Sequence, residues 1–296
     1  MNRYLSSRYV EVIQSPLLGL EARDAARGQR AAQRLDIVLE PQRPWPMPPD
    51  ADRYLTTLRE RGRRLEDICP RLDRHASGLF VLRFRADAGN DVDLRVVDRS
   101  ERFVPRRIRV PLVPLGSPPS LSLLDRTSMA RRFRRLALFP GAAYPVSESV
   151  TGLRGRAVIR EGVPPRDLVA RWPRVEALDD GGATIAVAHG DQHGEFLLLL
   201  PPAATDRLAT LPNPFNLNVR VTGRKPVPAP PSALYAAVDP FWDLPIEVAG
   251  PPGSSPDDVM AGTAAIPHYN ASATRLVTFT FGATVSTSGH APFKLT

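Results

Sequence analysis

The chain reads as mostly β, with two antiparallel β-sandwich modules, one or two short helices and Pro-rich loops. Three observations predict this. Short alternating or fully apolar runs recur between turns rich in Gly, Asp and Pro, the signature of strands. The 296 residues include 32 prolines, scattered without a period, which excludes collagen and argues against helical bundles or solenoids. Finally, one turn-and-strand unit occurs twice.

Its clearer copy is His189-Gly190-Asp191-Gln192-His193-Gly194-Glu195-Phe196, a polar turn launching the apolar run Leu197–Leu200. The echo is Asp73-Arg74-His75-Ala76-Ser77-Gly78-Leu79-Phe80, running into Val81 and Leu82. In each, a Gly supplies the permissive backbone that leaves the turn, and a Phe two residues later plants the strand in a core. Two further parallels support a repeat: Gly19-Leu20-Glu21-Ala22-Arg23 with Gly152-Leu153-Arg154-Gly155-Arg156, and Val92–Val96 with Phe215–Val219. Their unequal spacing implies different loop insertions.

In order, strands are expected at 9–13, 17–23 and 35–39, then a proline-dense segment around Trp45 that suits neither a helix nor a central strand. Tyr54, Leu55, Leu58 and Leu65 have the spacing of a surface helix. Strands follow at 79–84, 92–97 and 103–112. This divides the chain into a first module (1–113), a linker with a basic patch (114–146) and a second module (147–296). The second module should hold strands at 153–160, 168–177, 183–189, 195–200 and 215–222, with 241–248 and 275–285 returning to the same sheet. The polar segment Gly250–Asn270 reads as a long loop, a kind that is usually functional or mobile.

Lysine plus arginine number 39 against 31 acidic residues, and lysine occurs only at Lys225 and Lys294. A basic surface favours acidic partners without choosing among them. The single cysteine, Cys69, excludes an internal disulfide framework. The N-terminus lacks an apolar signal region and no apolar run is long enough to span a bilayer, so the expectation is a protein without membrane insertion, kept in a reducing cytoplasm or exported without a cleaved signal, with the cytoplasm preferred.

The turn Asp191-Gln192-His193-Gly194-Glu195-Phe196, set between alternating strands, resembles that of the carboxypeptidase regulatory-like family. That family has a transthyretin-like, Ig-like β-sandwich. The likeness covers roughly residues 150–222 well and 10–112 loosely, and the first copy departs from it because Asp73 lies further from its Gly. It implies an accessory or assembly module without catalysis. A looser likeness, in architecture alone, is to accessory components such as caps of phage-tail-like contractile injection systems.

His189, Asp191 and His193 are the one candidate metal set. A pliant turn with no accompanying Cys pair or His-Glu-x-x-His helix argues against a site, and no metal or other cofactor is expected. Nucleophile elbows, phosphate-binding loops and dinucleotide fingerprints do not occur, so no catalytic residue is assigned and a non-enzyme is expected. Arg131, Arg132, Phe133, Arg134 and Arg135 form a basic stretch. Its lone aromatic is thin support for nucleic acid, which is not expected as the partner. Trp45 and Trp242, each amid prolines, suit subunit contacts. The expectation is therefore a structural or assembly protein, self-associating and docked on tube, sheath or cap subunits. The alternative is a module binding carbohydrate or another surface ligand.

Overall fold

A computed structural model describes residues 17–31, 35–40, 51–83, 91–112, 133–208, 212–251, 256–286 and 292–296. The expected strand at 9–13 and Trp45 lie outside these.

The first module begins with β1 (Leu17–Asp24) and β2 (Asp36–Glu40), followed by helix α1 (Ala51–Glu60). After a 3-10 turn at Leu65–Ile68 come β3 (Asp73–Arg74), β4 (Phe80–Arg83), β5 (Asp91–Val97), β6 (Arg106–Pro111) and β7 (Phe133–Leu138). The second module runs through β8 (Gly152–Glu161), β9 (Arg166–Val169), β10 (Arg174–Leu178), β11 (Thr184–His189) and β12 (Glu195–Leu199). Helix α2 (Pro202–Leu208), β13 (Phe215–Gly223), α3 (Ala233–Val238), β14 (Ile246–Val248), α4 (Asp258–Ala261), β15 (Ala271–Phe279), β16 (Thr284–Ser286) and β17 (Phe293–Leu295) complete it. The fold is mostly β, as the sequence predicts. Among the described residues no helix is long and apolar enough to cross a membrane.

Each module stacks two sheets, and the connections match. In the first, β1 pairs antiparallel with β4 and parallel with β7; in the second, β8 pairs antiparallel with β12 and parallel with β16 and β17. The facing sheets are β2-β5-β6 and β10-β13-β15, all antiparallel. Phe80 lies opposite Leu20, and Phe196 opposite Gly155, so the structural match of β1 to β8 is shifted by two positions from the sequence pairing of Leu20 with Leu153. A two-residue shift keeps every side chain on its own face, which is why the strand pattern alone could not resolve it.

The echoed turns match in detail, with His75 rather than Asp73 in the place of Asp191. The His75 N–H donates to the Leu79 carbonyl and the Gly78 N–H to the His75 carbonyl, both at 2.8 Å. The Asp191 N–H likewise donates to the Glu195 carbonyl (2.9 Å) and the Gly194 N–H to the Asp191 carbonyl (3.1 Å). Even the side-chain bond repeats: His75 Nδ1 accepts from the Ser77 N–H as Asp191 Oδ1 accepts from that of His193. Gly78 and Gly194 sit at φ +79° and +75°, where a side chain is strained. Phe80 and Phe196 are both buried.

Other expectations need correction. The segment 114–146 is not only a linker: β7 lies in it and pairs with β1 over Gly19–Asp24. The expected strand 168–177 is broken at Arg171-Trp172-Pro173, and 241–248 gives only β14, which adds to β6 of the first module rather than to the second sheet. The proline at 245 and the aspartates at 239 and 243 suit turns better than a ladder. The segment 250–270 holds α4, whose Met260 is buried in the first module's core. Helix α1 is not a free surface helix; its Leu55 and Leu58 pack on Tyr235 and Val238 of α3.

Each sandwich has its own core, one around Leu20, Leu94, Ile108 and Leu136, the other around Leu153, Val175, Val219 and Phe279. Strand β12 serves both. Phe196 and Leu198 enter the second core while Leu197 and Leu199 pack on the first, which explains why this strand is apolar throughout.

Candidate functional site

Buried charged side chains gather along the segment Asp239-Pro240-Phe241-Trp242-Asp243-Leu244-Pro245-Ile246-Glu247, which joins α3 to β14 across both modules. Its three carboxylates, spaced every fourth residue, are all buried. Ser232 caps the preceding helix by accepting the Tyr235 N–H, and the Asp239 side chain accepts the Phe241 N–H, turning the chain out of the helix.

Each carboxylate is met by arginine. Arg95 on β5 forks onto Asp239, with Nη1–Oδ1 at 2.6 Å and Nη2–Oδ2 at 3.2 Å. Arg171, just past β9, forks onto Asp243 at 2.6 Å through both Nε and Nη2. Arg106 on β6 forks onto Glu247 at 2.9 and 2.8 Å, and Arg174 on β10 adds a bond of 2.5 Å to the same carboxylate. The first module thus supplies Arg95 and Arg106, and the second supplies Arg171 and Arg174. Paired forks of this kind fix geometry strongly, and a buried charge without its partner is costly. Burial raises the Glu247 pKa, but Arg106 and Arg174 outweigh it and hold the carboxyl below its ordinary range.

Arg95 also ion-pairs with Glu40, which in turn pairs with Arg107; all three are buried on the outer face of the β2-β5-β6 sheet. Glu66 lies 4.0 Å from Arg95, and burial, only partly opposed by Arg95, raises its pKa. Beside them burial pushes the Cys69 thiol up to about 11, which makes it a poor nucleophile.

Trp172 locks the joint. It adopts φ +59°, rare for a bulky residue and strained by roughly 1 kcal/mol or more. Its Nε1 donates to Asp243 (2.9 Å), its N–H to the Asp191 carbonyl (2.9 Å), and its carbonyl accepts from the Tyr269 hydroxyl (2.6 Å). The ring packs with Val97, Val104, Phe241 and Leu244, an apolar plug drawn from both modules. Trp242 stacks with Arg171, whose guanidinium lies 5.7 Å from its ring, and packs on the α1–α3 cluster. It is therefore a component of the joint and no open aromatic platform.

His189, Asp191 and His193 do not come together. His189 is not at a solvated tip but buried, stacked on Phe139 with centroids 3.7 Å apart, and its Nε2 lies 3.0 Å from the Gly262 carbonyl. A carbonyl only accepts, so that nitrogen carries the proton. Burial, with Arg174 and Arg106 nearby, holds the ring's pKa well below its ordinary value. A Cβ on Gly262 would come within 2.3 Å of the Phe139 ring, so the stack requires glycine there. Asp191 accepts from the amides of His193 and Glu195; burial raises its pKa and those bonds partly offset this. His193 is exposed. Among the described residues no group of three or more His, Cys, Asp or Glu could hold a metal ion.

Of the basic stretch, Arg131 and Arg132 lie outside the described residues. Phe133 is half-buried beneath the Arg135 guanidinium, and exposed Arg135 pairs with Glu21 at 3.3 Å. Arg134 is buried instead, bonded to the Gly250 carbonyl (3.0 Å) and facing Asp257 (3.4 Å). The residues missed in the sequence are thus Arg95, Arg106, Arg171, Arg174 and the carboxylates of the Asp239–Glu247 segment, which forms a strap across the two modules. The acid at every fourth place in an apolar, proline-bearing run was the available signal.

No protein-family model matches the chain, and no curated protein does. Among solved structures, the Bacillus anthracis TIE protein aligns at 8% identity with a TM-score of 0.22, over 95% of this chain and 34% of that one. This chain thus spans about a third of that protein's length. The shaft pilin SpaA from Lactobacillus rhamnosus GG aligns at 7% identity with a TM-score of 0.20, over 73% of this chain and 89% of that one. Both are β-rich bacterial proteins. Overlaps this low carry no argument about function.

Proposed function

We propose that the chain is a non-enzymatic structural or assembly protein, a two-module body that docks on other subunits and on copies of itself. The observation that supports this most is the strap. Asp239, Asp243 and Glu247, Arg95, Arg106, Arg171 and Arg174 are all committed to holding one sandwich against the other. Such a joint suits a part that transmits position within a particle, since paired forks fix orientation. Its finer place, in this reading, is as a cap or cap adaptor of a phage-tail-like contractile injection particle assembled in the cytoplasm.

Light scattering of the purified chain, with affinity capture against tube, sheath and cap subunits of a contractile injection particle, tests the reading. A defined oligomer or a stoichiometric complex is expected. A monomer at every concentration that retains none of those subunits overturns it.

A further inference from the structure

Strand β11 is the outer member of its sheet, paired only with β10 among the described residues. The Gly190 N–H donates to the Pro173 carbonyl at 2.7 Å, which sets the phase of the ladder. In an antiparallel pair, bonded and non-bonded positions alternate. Ala188 and Ala186 therefore exchange bonds with Val175 and Ala177, while Val187, opposite Glu176, turns its N–H and C=O away from β10. No described backbone group takes either. Beside this edge runs an open groove of about 400 Å³, between Ile185, Val187 and Leu199 of the second module and Ala26 and Phe139 of the first, with Ala261 at its end.

The matching edge of the first module is treated differently. There the segment 70–72 covers β2, through Leu39 N–H to the Pro70 carbonyl (2.8 Å) and Leu72 N–H to the Ile37 carbonyl (2.9 Å). It is short, and its Arg71 is ion-paired with Asp36 and Asp67. Shortness and charge are how proteins blunt an edge against unwanted pairing. Thr184-Ile185-Ala186-Val187-Ala188-His189 has neither, nor a proline.

We propose that β11 is a docking edge that takes an extended strand of a partner protein by β-augmentation, seated in the groove between the modules. The proposal rests on the assembly reading and names the surface it uses. Main-chain bonds to β11 supply affinity, and the side chains facing the walls supply selection. Those walls are mostly alanine, proline, aliphatic carbon and the Phe139 ring, with the Thr184 and Thr263 side chains as the uncharged polar groups, so the strand is uncharged there, with small or β-branched residues. The one acid at the rim, Glu176, already pairs with Arg220 at 2.7 Å, so it offers a cationic strand little.

A displayed library of short random peptides, panned on the full chain, tests this. Expected are peptides that alternate small apolar residues and slow hydrogen exchange at the Val187 amide. Val187→Pro, which removes the outward donor and leaves the bonds to β10, should weaken them by up to about tenfold, one lost hydrogen bond's worth. Val187→Ile should keep them. If Val187→Pro fails to fold, Val187→Lys, which places a charge on the same edge, should show the same loss. No recovered peptide, acidic peptides, or binding unchanged in both the Pro and Lys variants overturns the proposal. Peptide binding by a chain that never assembles sinks only the assembly reading. Assembly that persists without any strand-like peptide binding sinks only this edge.

Discussion

Strands β5 and β13 hold the same place in the two sandwiches, and their inward rows are alike: Leu94 and Val96 in one, Leu217, Val219 and Val221 in the other. Their outward rows differ. In β13, Asn216 is exposed and Asn218 and Arg220 are half-buried, the usual solvated face of an antiparallel sheet. In β5, Asp93, Arg95 and Val97 are as buried as the core: Arg109 forks onto Asp93, Arg95 meets Glu40, Glu66 and Asp239, and Val97 packs with Phe241 and Leu244 of the strap. The same strand grammar thus serves once as a surface and once as an internal joint. What distinguishes the two is what covers them.

That difference is sharpest at the arginines. Arg95→Met leaves Asp239 buried without its forked cation and Glu40 with Arg107 alone, and urea unfolding should show a loss of about 3–5 kcal/mol. Next in size, Asp243→Asn keeps the shape but removes the charge that receives Arg171 and Trp172. A loss of about 1.5–3 kcal/mol is expected, read from the same melts. If Arg95→Met proves silent, the outward row of β5 is no joint; if Asp243→Asn does, Arg171 and Trp172 contribute nothing to it.

A third test uses pH. An unfolded histidine takes up its proton below a pH of about 6.5. Folded His189 does so only at much lower pH, because of burial and the adjacent Arg174 and Arg106. The unfolded chain therefore binds the proton first, and stability falls as pH drops below about 6.5, by up to about 1.4 kcal/mol per unit. The raised pKa values of Glu66 and Asp191 act in the opposite direction, so the difference between wild type and His189→Phe isolates the histidine. His189→Phe should flatten the slope between pH 6.5 and 5 by that amount; an unchanged slope would place the ring in water. The smallest effect belongs to β13. Arg220→Met breaks a partly exposed pair with Glu176 and should cost no more than about 1 kcal/mol.

Much of the fold was legible because strands betray themselves by alternation and turns by their glycines: β1, β5, β11 and β13 lie within a residue or two of their expected bounds. The joint was not. Asp93 and Arg95 alternate with apolar neighbours as a solvated face would, and nothing local says that Asp239, 144 residues on, will cover Arg95. His189 and His193 are near in sequence, yet the turn between them sends one ring inward and leaves the other outside. Asp239, Asp243 and Glu247 share a spacing visible in the chain, but their partners lie at 95, 106, 171 and 174. Pairing over such distances is a property of topology, which no local pattern encodes.

Scanning calorimetry of the whole chain, beside a variant carrying Asp239→Asn, Asp243→Asn and Glu247→Gln, tests most directly whether the strap makes the two sandwiches one body. A single cooperative transition in the parent that splits into two in the variant is the predicted result. Two transitions in the parent, or one transition unmoved by the triple substitution, would contradict it.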